Sequence, residues 1–226
     1  MRSLIKFVLP GIILTTLLML FSCEKDNNEG TVTDFEGNVY RTVQIGDQWW
    51  MADNLKATKF NDGQSILNVT DDSEWNNLTT SAYCWYNNDE AGYKNTYGAL
   101  YNWHAVSTGR LCPDGWHVPS NSEWATLTSR LGGENVAGGK LKETGTAHWQ
   151  TPNSGATDLF SFTALPGGYR GSLGAFIDIL DRGYWWSSTE YNATHAHLKN
   201  LTYDSGNFTS LNDAKKFGFS VRCIKD

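Results

Sequence analysis

The chain has 226 residues, of which 18 are Lys or Arg and 24 are Asp or Glu, so its formal net charge is −6. An acidic chain without a Lys/Arg cluster is a poor match for nucleic acid or for an anionic lipid surface, and we expect no nucleic-acid partner. The part after residue 30 is long enough for one hydrophobic core and short for two, and it has no repeat period. The sequence therefore predicts one acidic domain.

The first 22 residues have the pattern of a secretory signal peptide. Arg2 and Lys6 precede the apolar run FVLPGIILTTLLMLFS, which ends directly before Cys23. The quartet Leu20-Phe21-Ser22-Cys23 resembles a bacterial lipobox, which implies cleavage before Cys23 and acylation (diacylglycerol, palmitate) of its thiol. The alternative is an uncleaved anchor, because about 18 apolar residues can just span a bilayer.

Residues 23–30 form a polar tether in which EKDNNEG follows the cysteine. With no apolar side chain to bury, this segment is predicted to be disordered. Its acidic tract also resembles a surface-export tag of some Gram-negative bacteria, although a plain spacer explains it equally well. We expect a protein held at the bacterial outer membrane by its lipid, either periplasmic or surface-exposed, with a folded domain over residues 31–226.

The domain begins with strand-like runs. In TVTDFEGNVYRTVQIGDQWWMADNL, turns are predicted at Glu36-Gly37-Asn38 and at Ile45-Gly46-Asp47-Gln48. Residues 61–90 are rich in Asn, Asp, Ser and Gly, which indicates loops around one strand, AYCWY.

Two main helices are predicted next. YGALYNWHAVS has apolar residues at helical spacing over 97–107. SNSEWATLTSRLGG begins with Ser120 and Glu123 spaced as a capping box, continues with a stripe of Trp124, Leu127 and Leu131, and ends at two glycines.

Beyond Val136 the chain is Gly-rich, with one possible helical turn (VAGGKLKE) and a long irregular stretch. Four strand-like pieces follow: GYWWSSTE, HAHLKNLTY, NFTSL and FGFSVRCIK. The expected fold class is α+β, with two main helices, a small twisted antiparallel sheet and long irregular loops.

Seven motifs occur in an order that resembles one bacterial family. They are IGDQWWMADNL, YCWYNND, YGALYNWHAV, LCPDGWHVPSNSEW, ALPGGYR, YWWSSTE and GFSVRCIKD. On these motifs the chain is identified as a member of the Fibrobacter succinogenes major paralogous domain (FISUMP) lipoprotein family. The resemblance covers nearly all of the chain after the tether and implies a secreted or lipid-anchored protein, in a family of obscure function.

A more distant resemblance is to the fold shared by C-type lectin-like domains and formylglycine-generating enzymes. It is carried by a Gly-Trp turn, the PSNSEW helix, the Trp-Trp strand and the final GFSVR strand. It implies a disulfide between Cys112 and Cys223, leaving Cys84 as an odd thiol. Formylglycine-type chemistry needs a late cysteine pair for copper, and only Cys223 lies there. No nucleophile–base arrangement emerges either, so we expect no enzyme.

Hard oxygen ligands of the kind that calcium prefers occur at Asn87, Asn88, Asp89 and Glu90. The pattern is not an EF-hand, and the Glu-Pro-Asn and Trp-Asn-Asp signatures of sugar-binding C-type lectins are missing. A structural calcium ion is therefore the one cofactor considered. His195 and His197 supply at most half of a zinc site.

Ten tryptophans are unusually many, and Trp75 and Trp149 lie in polar segments, DDSEWNN and TAHWQTPN. Indole faces beside Asn and Asp are typical of sugar-binding sites, and Tyr169 and Arg170 of ALPGGYR complete the predicted ligand set. The alternative is that each tryptophan fixes its own loop. If these tryptophans bind a ligand, Trp149→Ala should weaken binding and cost far less stability than Trp124→Ala.

These observations favour a lipid-anchored binding or adhesion module for a glycan or a cell-surface ligand. The alternative is a structural or assembly subunit of a surface appendage or envelope complex.

Overall fold

A computed structural model describes residues 29–226 of the chain. The predicted signal peptide, the lipid-attachment residue Cys23 and the tether up to residue 28 lie outside the described residues. The first strand begins at Glu29, two residues before the predicted start of the domain, and Glu29 is paired with Val43.

Thirteen strands and five α-helices make up the described part. The strands are β1 (Glu29–Thr33), β2 (Val39–Ile45), β3 (Gln48–Met51), β4 (Leu67–Asn68), β5 (Ala82–Cys84), β6 (Leu100–Tyr101), β7 (Trp116–His117), β8 (Gly167–Arg170), β9 (Phe176–Ile179), β10 (Arg182–Glu190), β11 (His195–Thr202), β12 (Thr209–Ala214) and β13 (Ile224–Lys225). The helices are α1 (Asp72–Asn76), α2 (Glu90–Tyr97), α3 (Trp103–Val106), α4 (Asn121–Arg130) and α5 (Glu134–Leu141).

The largest sheet has five antiparallel strands in the order β1-β2-β3-β13-β7. The predicted turn after Ile45 is present: Ile45 pairs with Gln48, and Gly46 has a φ of 64° that suits glycine. The other sheets are β10-β11-β12, β4-β5-β6 and the hairpin β8-β9. The predicted α+β class is confirmed, with several small sheets in place of one.

The second predicted helix is α4. The Ser120 side chain accepts a hydrogen bond from the Glu123 backbone, and the Glu123 carboxylate accepts one from the Ser120 backbone at 2.7 Å. Trp124, Leu127 and Leu131 are buried, as their spacing predicts. The capping box and the stripe are local features, so the sequence was sufficient to predict them.

The single helix predicted over 97–107 is present only in its last part, as α3. Helix α2 ends at Tyr97, β6 follows, and α3 starts only at Trp103. Gly98 has a φ of 74° and lies so close to the Leu55 carbonyl that a Cβ would collide with it, which ends the helix there. Asn102 then caps α3 by accepting a hydrogen bond from the Ala105 backbone.

The possible turn VAGGKLKE is a full helix, α5, of eight residues. Its two central glycines allow the backbones at Asn207 and Gly155 to approach closely. No helix among residues 29–226 is long and apolar enough to cross a membrane.

The structure contains the disulfide that the lectin-like resemblance implied. Cys112 and Cys223 are bonded, with their Cα atoms 6.0 Å apart and a sequence separation of 111. Both are buried in a core that also includes Tyr101, Trp186 and Phe219. The bond ties the segment before β7 to the segment before β13.

Candidate functional site

Trp75 does not offer an indole face to a ligand, contrary to the sequence-based expectation. It lies in α1 with 0% of its surface exposed, and the guanidinium of Arg170 stacks over its ring at 4.5 Å. The polar neighbours that suggested an open loop are the capping and solvent-facing residues of that short helix, such as Asp71. Trp75 is a core residue.

Trp149 is also buried, with 2% of its surface exposed, so the second predicted stacking residue is corrected too. Its indole nitrogen donates to the Ala164 carbonyl at 2.9 Å, and the Lys142 ammonium lies 5.2 Å from its ring centroid. Thr146, Gln150 and Thr151 of TAHWQTPN are exposed, whereas Asn153 is buried and donates to the carbonyl oxygens of Glu143 and Gly145. Each tryptophan fixes its own segment, as the alternative interpretation held.

Arg170 is likewise a structural residue and is not available to a ligand, since its side chain is 0% exposed. It donates hydrogen bonds to the carbonyl oxygens of Gly174, Val69 and Thr70, and it forms an ion pair with Asp72 at 2.7 Å. These bonds hold hairpin β8–β9 against α1 and the segment before it. A buried guanidinium requires such a complete set of partners.

Tyr169 is the one member of the predicted ligand set whose side chain is partly exposed. Its ring stacks on Phe217 with centroids 5.7 Å apart and an angle of 7° between the planes. The two rings are brought together because Arg170 and Gly218, their chain neighbours, exchange backbone hydrogen bonds of 3.0 and 2.8 Å. Phe217 is also partly exposed, so the pair forms an aromatic surface.

Behind this pair, the rings continue into the core. Tyr184 meets Tyr169 edge-on at 5.2 Å and stacks on Phe219 at 5.2 Å, and Phe219 contacts Trp186. Tyr184, Phe219 and Trp186 are all buried. The outer rings therefore rest on a rigid base, so their side chains lose little conformational entropy when a ligand binds.

Charged groups surround the aromatic pair. Asp178 accepts a hydrogen bond from the Tyr184 hydroxyl at 2.7 Å and lies 3.8 Å from the Nε of Arg182. Burial, and then the nearby carboxylates of Asp178 and Asp213, raise the pKa of Tyr169. Its hydroxyl therefore stays protonated at neutral pH, and it makes no hydrogen bond to another residue within 29–226. We call Tyr169, Phe217, Asp178, Arg182 and Asp213 the Tyr169 face.

Sequence reasoning identified Tyr169 and missed the other four residues. Phe217 and Phe219 alternate in KKFGFS, a period-two signal that marks an extended segment with one aromatic face. Asp178 gave no such signal: it adopts a φ of 65°, and its position beside Tyr184 arises from the kinked pairing of β8 with β9.

The predicted calcium ligands are engaged in local structure. Asp89 caps α2 by accepting from the Gly92 backbone, Glu90 pairs with Lys94 at 2.7 Å, and Asn88 donates to the Thr70 carbonyl. Asn87 has a φ of 53° in the turn before them. Within residues 29–226 no three His, Cys, Asp or Glu side chains are grouped as a metal site, and calcium binding here stays a prediction.

Cys84 is a buried free thiol. Burial raises its pKa to about 12, although the Arg170 charge acts in the opposite direction. A thiol with that pKa forms almost no thiolate at neutral pH, so Cys84 is unsuited to nucleophilic chemistry.

Comparison with known proteins gives one match. No curated protein and no solved structure matches the chain significantly. The family model described as the Fibrobacter succinogenes major domain matches residues 43–225, which takes in every strand from β3 to β13 and all five helices. The chain therefore belongs to the Fibrobacter succinogenes major domain family.

Proposed function

We propose that this protein is a lipid-anchored extracytoplasmic binding or adhesion module, and that the Tyr169 face contacts its ligand. The observation that carries the proposal is the partly exposed Tyr169–Phe217 stack with carboxylates and a guanidinium beside it. Ring faces that stack on sugar carbons, beside groups that hydrogen-bond to hydroxyls, are a combination suited to a glycan. The proposed location is the outer membrane, with lipid on Cys23 as the membrane contact.

The C-type lectin-like fold is part of the same proposal. Its support is the Cys112–Cys223 bridge, the capped helix α4 and the long irregular stretch between α5 and β8. Domains of that class bind ligands on irregular loops and hairpins. The Tyr169 face combines hairpin β8–β9 with the start of β10, the end of β12 and the segment before Phe219.

A binding screen tests the proposal directly. Full-length protein, purified in detergent, is applied to an array of neutral and acidic glycans alongside the Tyr169→Ala and Tyr191→Ala variants. Tyr191 is a matched control because it is an exposed tyrosine that contacts His197, beyond the opposite end of β10 from Arg182. Tyr169→Ala should weaken binding tenfold or more, about 1.4 kcal/mol, and Tyr191→Ala should leave it unchanged. Equal affinity of all three proteins would refute the assignment.

The assembly-subunit alternative is favoured by one observation. Leu173 at the tip of hairpin β8–β9 is 74% exposed, and Ile177 and Leu180 of the same hairpin are also exposed. Apolar residues grouped in this way are typical of protein contacts. If the protein copurifies from crosslinked envelopes in a large complex, and Leu173→Ser removes it from that complex, the assembly role is correct.

A further inference from the structure

A second group of rings lies beside the first residues of β8. A Cβ atom on Gly167 would lie 3.8 Å from the Tyr97 Cβ, and one on Gly168 would meet the ring of Tyr86. Tyr169, the next residue, contacts Tyr184. Consecutive residues of one strand thus contact both ring groups, and Gly167 and Tyr169 lie about 7 Å apart along that strand.

The second group is a continuous series of ring contacts. Tyr86 lies 5.1 Å from Tyr93, Tyr93 lies 6.0 Å from Tyr97, and Tyr97 meets the edge of His148 at 5.8 Å. Tyr86 and Tyr97 are mostly buried, whereas Tyr93 and His148 are partly exposed. Neither the Tyr93 nor the Tyr97 hydroxyl makes a hydrogen bond to a residue within 29–226, and Tyr93 is the more exposed of the two residues.

His148 is held in place by its own loop. Its Nδ1 lies 2.9 Å from both carboxylate oxygens of Glu143. The next two residues are fixed as well, since the Trp149 indole donates to Ala164 and the Gln150 backbone donates to the Leu180 carbonyl at 2.9 Å. The carboxylate orients the imidazole and directs Nε2 away from it, which leaves that nitrogen for a ligand hydroxyl.

From this arrangement we infer a second subsite, formed by Tyr93, Tyr97 and His148, and an extended neutral glycan chain as the ligand. The inference rests on the proposed function of the Tyr169 face. The two ring groups beside this strand cover more surface than a single sugar ring can contact. Successive sugars of one chain would therefore occupy them. The carboxylates of Glu143, Asp178 and Asp213 next to these rings outnumber Arg182, which disfavours acidic sugars.

The rings also distinguish a glycan from a protein partner. A protein contact would bury aliphatic surface and would satisfy or avoid the polar groups at its centre. Here tyrosine hydroxyls, an imidazole and carboxylates alternate with ring faces. Sugars supply both a CH face and hydroxyl groups at that spacing.

The test measures affinity as a function of chain length. The probes are α-linked and β-linked glucose oligosaccharides of one to six units, titrated calorimetrically into full-length protein and into the Tyr93→Ala, His148→Ala, Tyr169→Ala and Tyr191→Ala variants. Near-ultraviolet circular dichroism of each variant confirms folding, and Tyr93→Phe keeps the ring in case Tyr93→Ala is unstable.

The wild-type protein should bind one linkage series with affinity that rises at least tenfold between two and six units. Tyr93→Ala and His148→Ala should abolish that rise and leave the shortest sugars unaffected, while Tyr169→Ala should weaken every length. A rise that survives Tyr93→Ala and His148→Ala overturns the second subsite and leaves the Tyr169 face intact. A protein that binds none of these sugars overturns the neutral-glycan ligand, and unchanged binding by Tyr169→Ala refutes the proposed function.

Discussion

The indole nitrogen of Trp149 donates a hydrogen bond to the carbonyl oxygen of Ala164 over 2.9 Å. This bond joins the polar segment TAHWQTPN to the far end of the irregular stretch before β8. Because Trp149 is as buried as the α4 residue Trp124, it contributes to folding in the same way.

We therefore predict that Trp149→Ala destabilises the protein by about 3–5 kcal/mol, as much as Trp124→Ala does. Both changes empty a large buried volume, and the first also leaves the Ala164 carbonyl without its donor. Urea denaturation followed by fluorescence measures the loss, with Tyr191→Ala as the exposed aromatic control. A Trp149→Ala variant as stable as the control would show that the loop is independent of the core.

Arg170 is predicted to be required for folding and not for ligand contact. Arg170→Leu removes a guanidinium that serves three carbonyl oxygens and Asp72, so we expect a loss of about 3–5 kcal/mol. Arg170→Lys should also be damaging, because one ammonium cannot reach all four partners. The contrast is Arg182→Leu at the exposed start of β10, which should change the melting temperature little. A stable Arg170→Leu protein would contradict the structural role.

The sequence predicts the local features of this chain better than it predicts contacts between residues far apart in sequence. The capping box of α4 and the turn at Gly46 depend on neighbours within a few residues, and both were predicted. The burial of Trp75 depends on Arg170, which is almost a hundred residues later, and no local pattern contains that information. Polar surroundings in sequence are a poor guide to exposure when a distant side chain covers the ring.

The same reasoning explains the candidate site. Tyr169 was found because it belongs to a recognisable motif, whereas its partner Phe217 is joined to it only through the bridge between Arg170 and Gly218. The helix predicted over 97–107 is shortened to α3 for a related reason. Apolar spacing favoured a helix, but the close approach of Leu55 to Gly98, a tertiary contact, ended it.

The disulfide should account for a large share of the stability. In the chain-entropy model, closing a loop of this length contributes about 4–5 kcal/mol. Denaturation of the Cys112→Ala/Cys223→Ala double variant measures that loss. Non-reducing peptide mapping of the wild-type protein should show the single bridged pair, with Cys84 labelled by a thiol reagent only after unfolding. A bridge that involves Cys84 would contradict the structure.

Acylation of Cys23 is the prediction that determines the location of the protein. Cys23 follows an apolar run and precedes polar residues, which is the arrangement that a lipoprotein signal requires. Cells fed labelled palmitate should incorporate the label into the wild-type protein, and Cys23→Ala should accumulate as an unlabelled precursor. Cys84→Ala is the matched control and should be labelled normally. Label in Cys23→Ala would disprove the lipobox.

The last prediction concerns His117, which links α4 to the final residues of the chain. Its Nε2 lies 2.9 Å from Glu123 and its Nδ1 lies 2.6 Å from Asp226. Burial acts to lower the pKa of His117, but the hydrogen bonds to Asp226 and Glu123 outweigh burial, so the pKa is raised. The protonated imidazole is thus favoured in the folded state.

A raised folded-state pKa fixes the direction of the pH dependence. The contribution of His117 is complete below the unfolded-state pKa of about 6.5 and is lost as the pH rises through the higher folded value. Urea midpoints measured from pH 5.5 to 8.5 should therefore fall less in His117→Gln than in the wild-type protein. Salt should weaken the effect because His117 and its two carboxylate partners are partly exposed.

His104→Gln is the control of opposite sign. Burial, and then Lys215 and Lys216, lower the pKa of His104. The contribution of His104 to stability therefore rises with pH over the range just below about 6.5. If His117→Gln and the wild-type protein show parallel pH profiles, the two carboxylate contacts do not persist in solution.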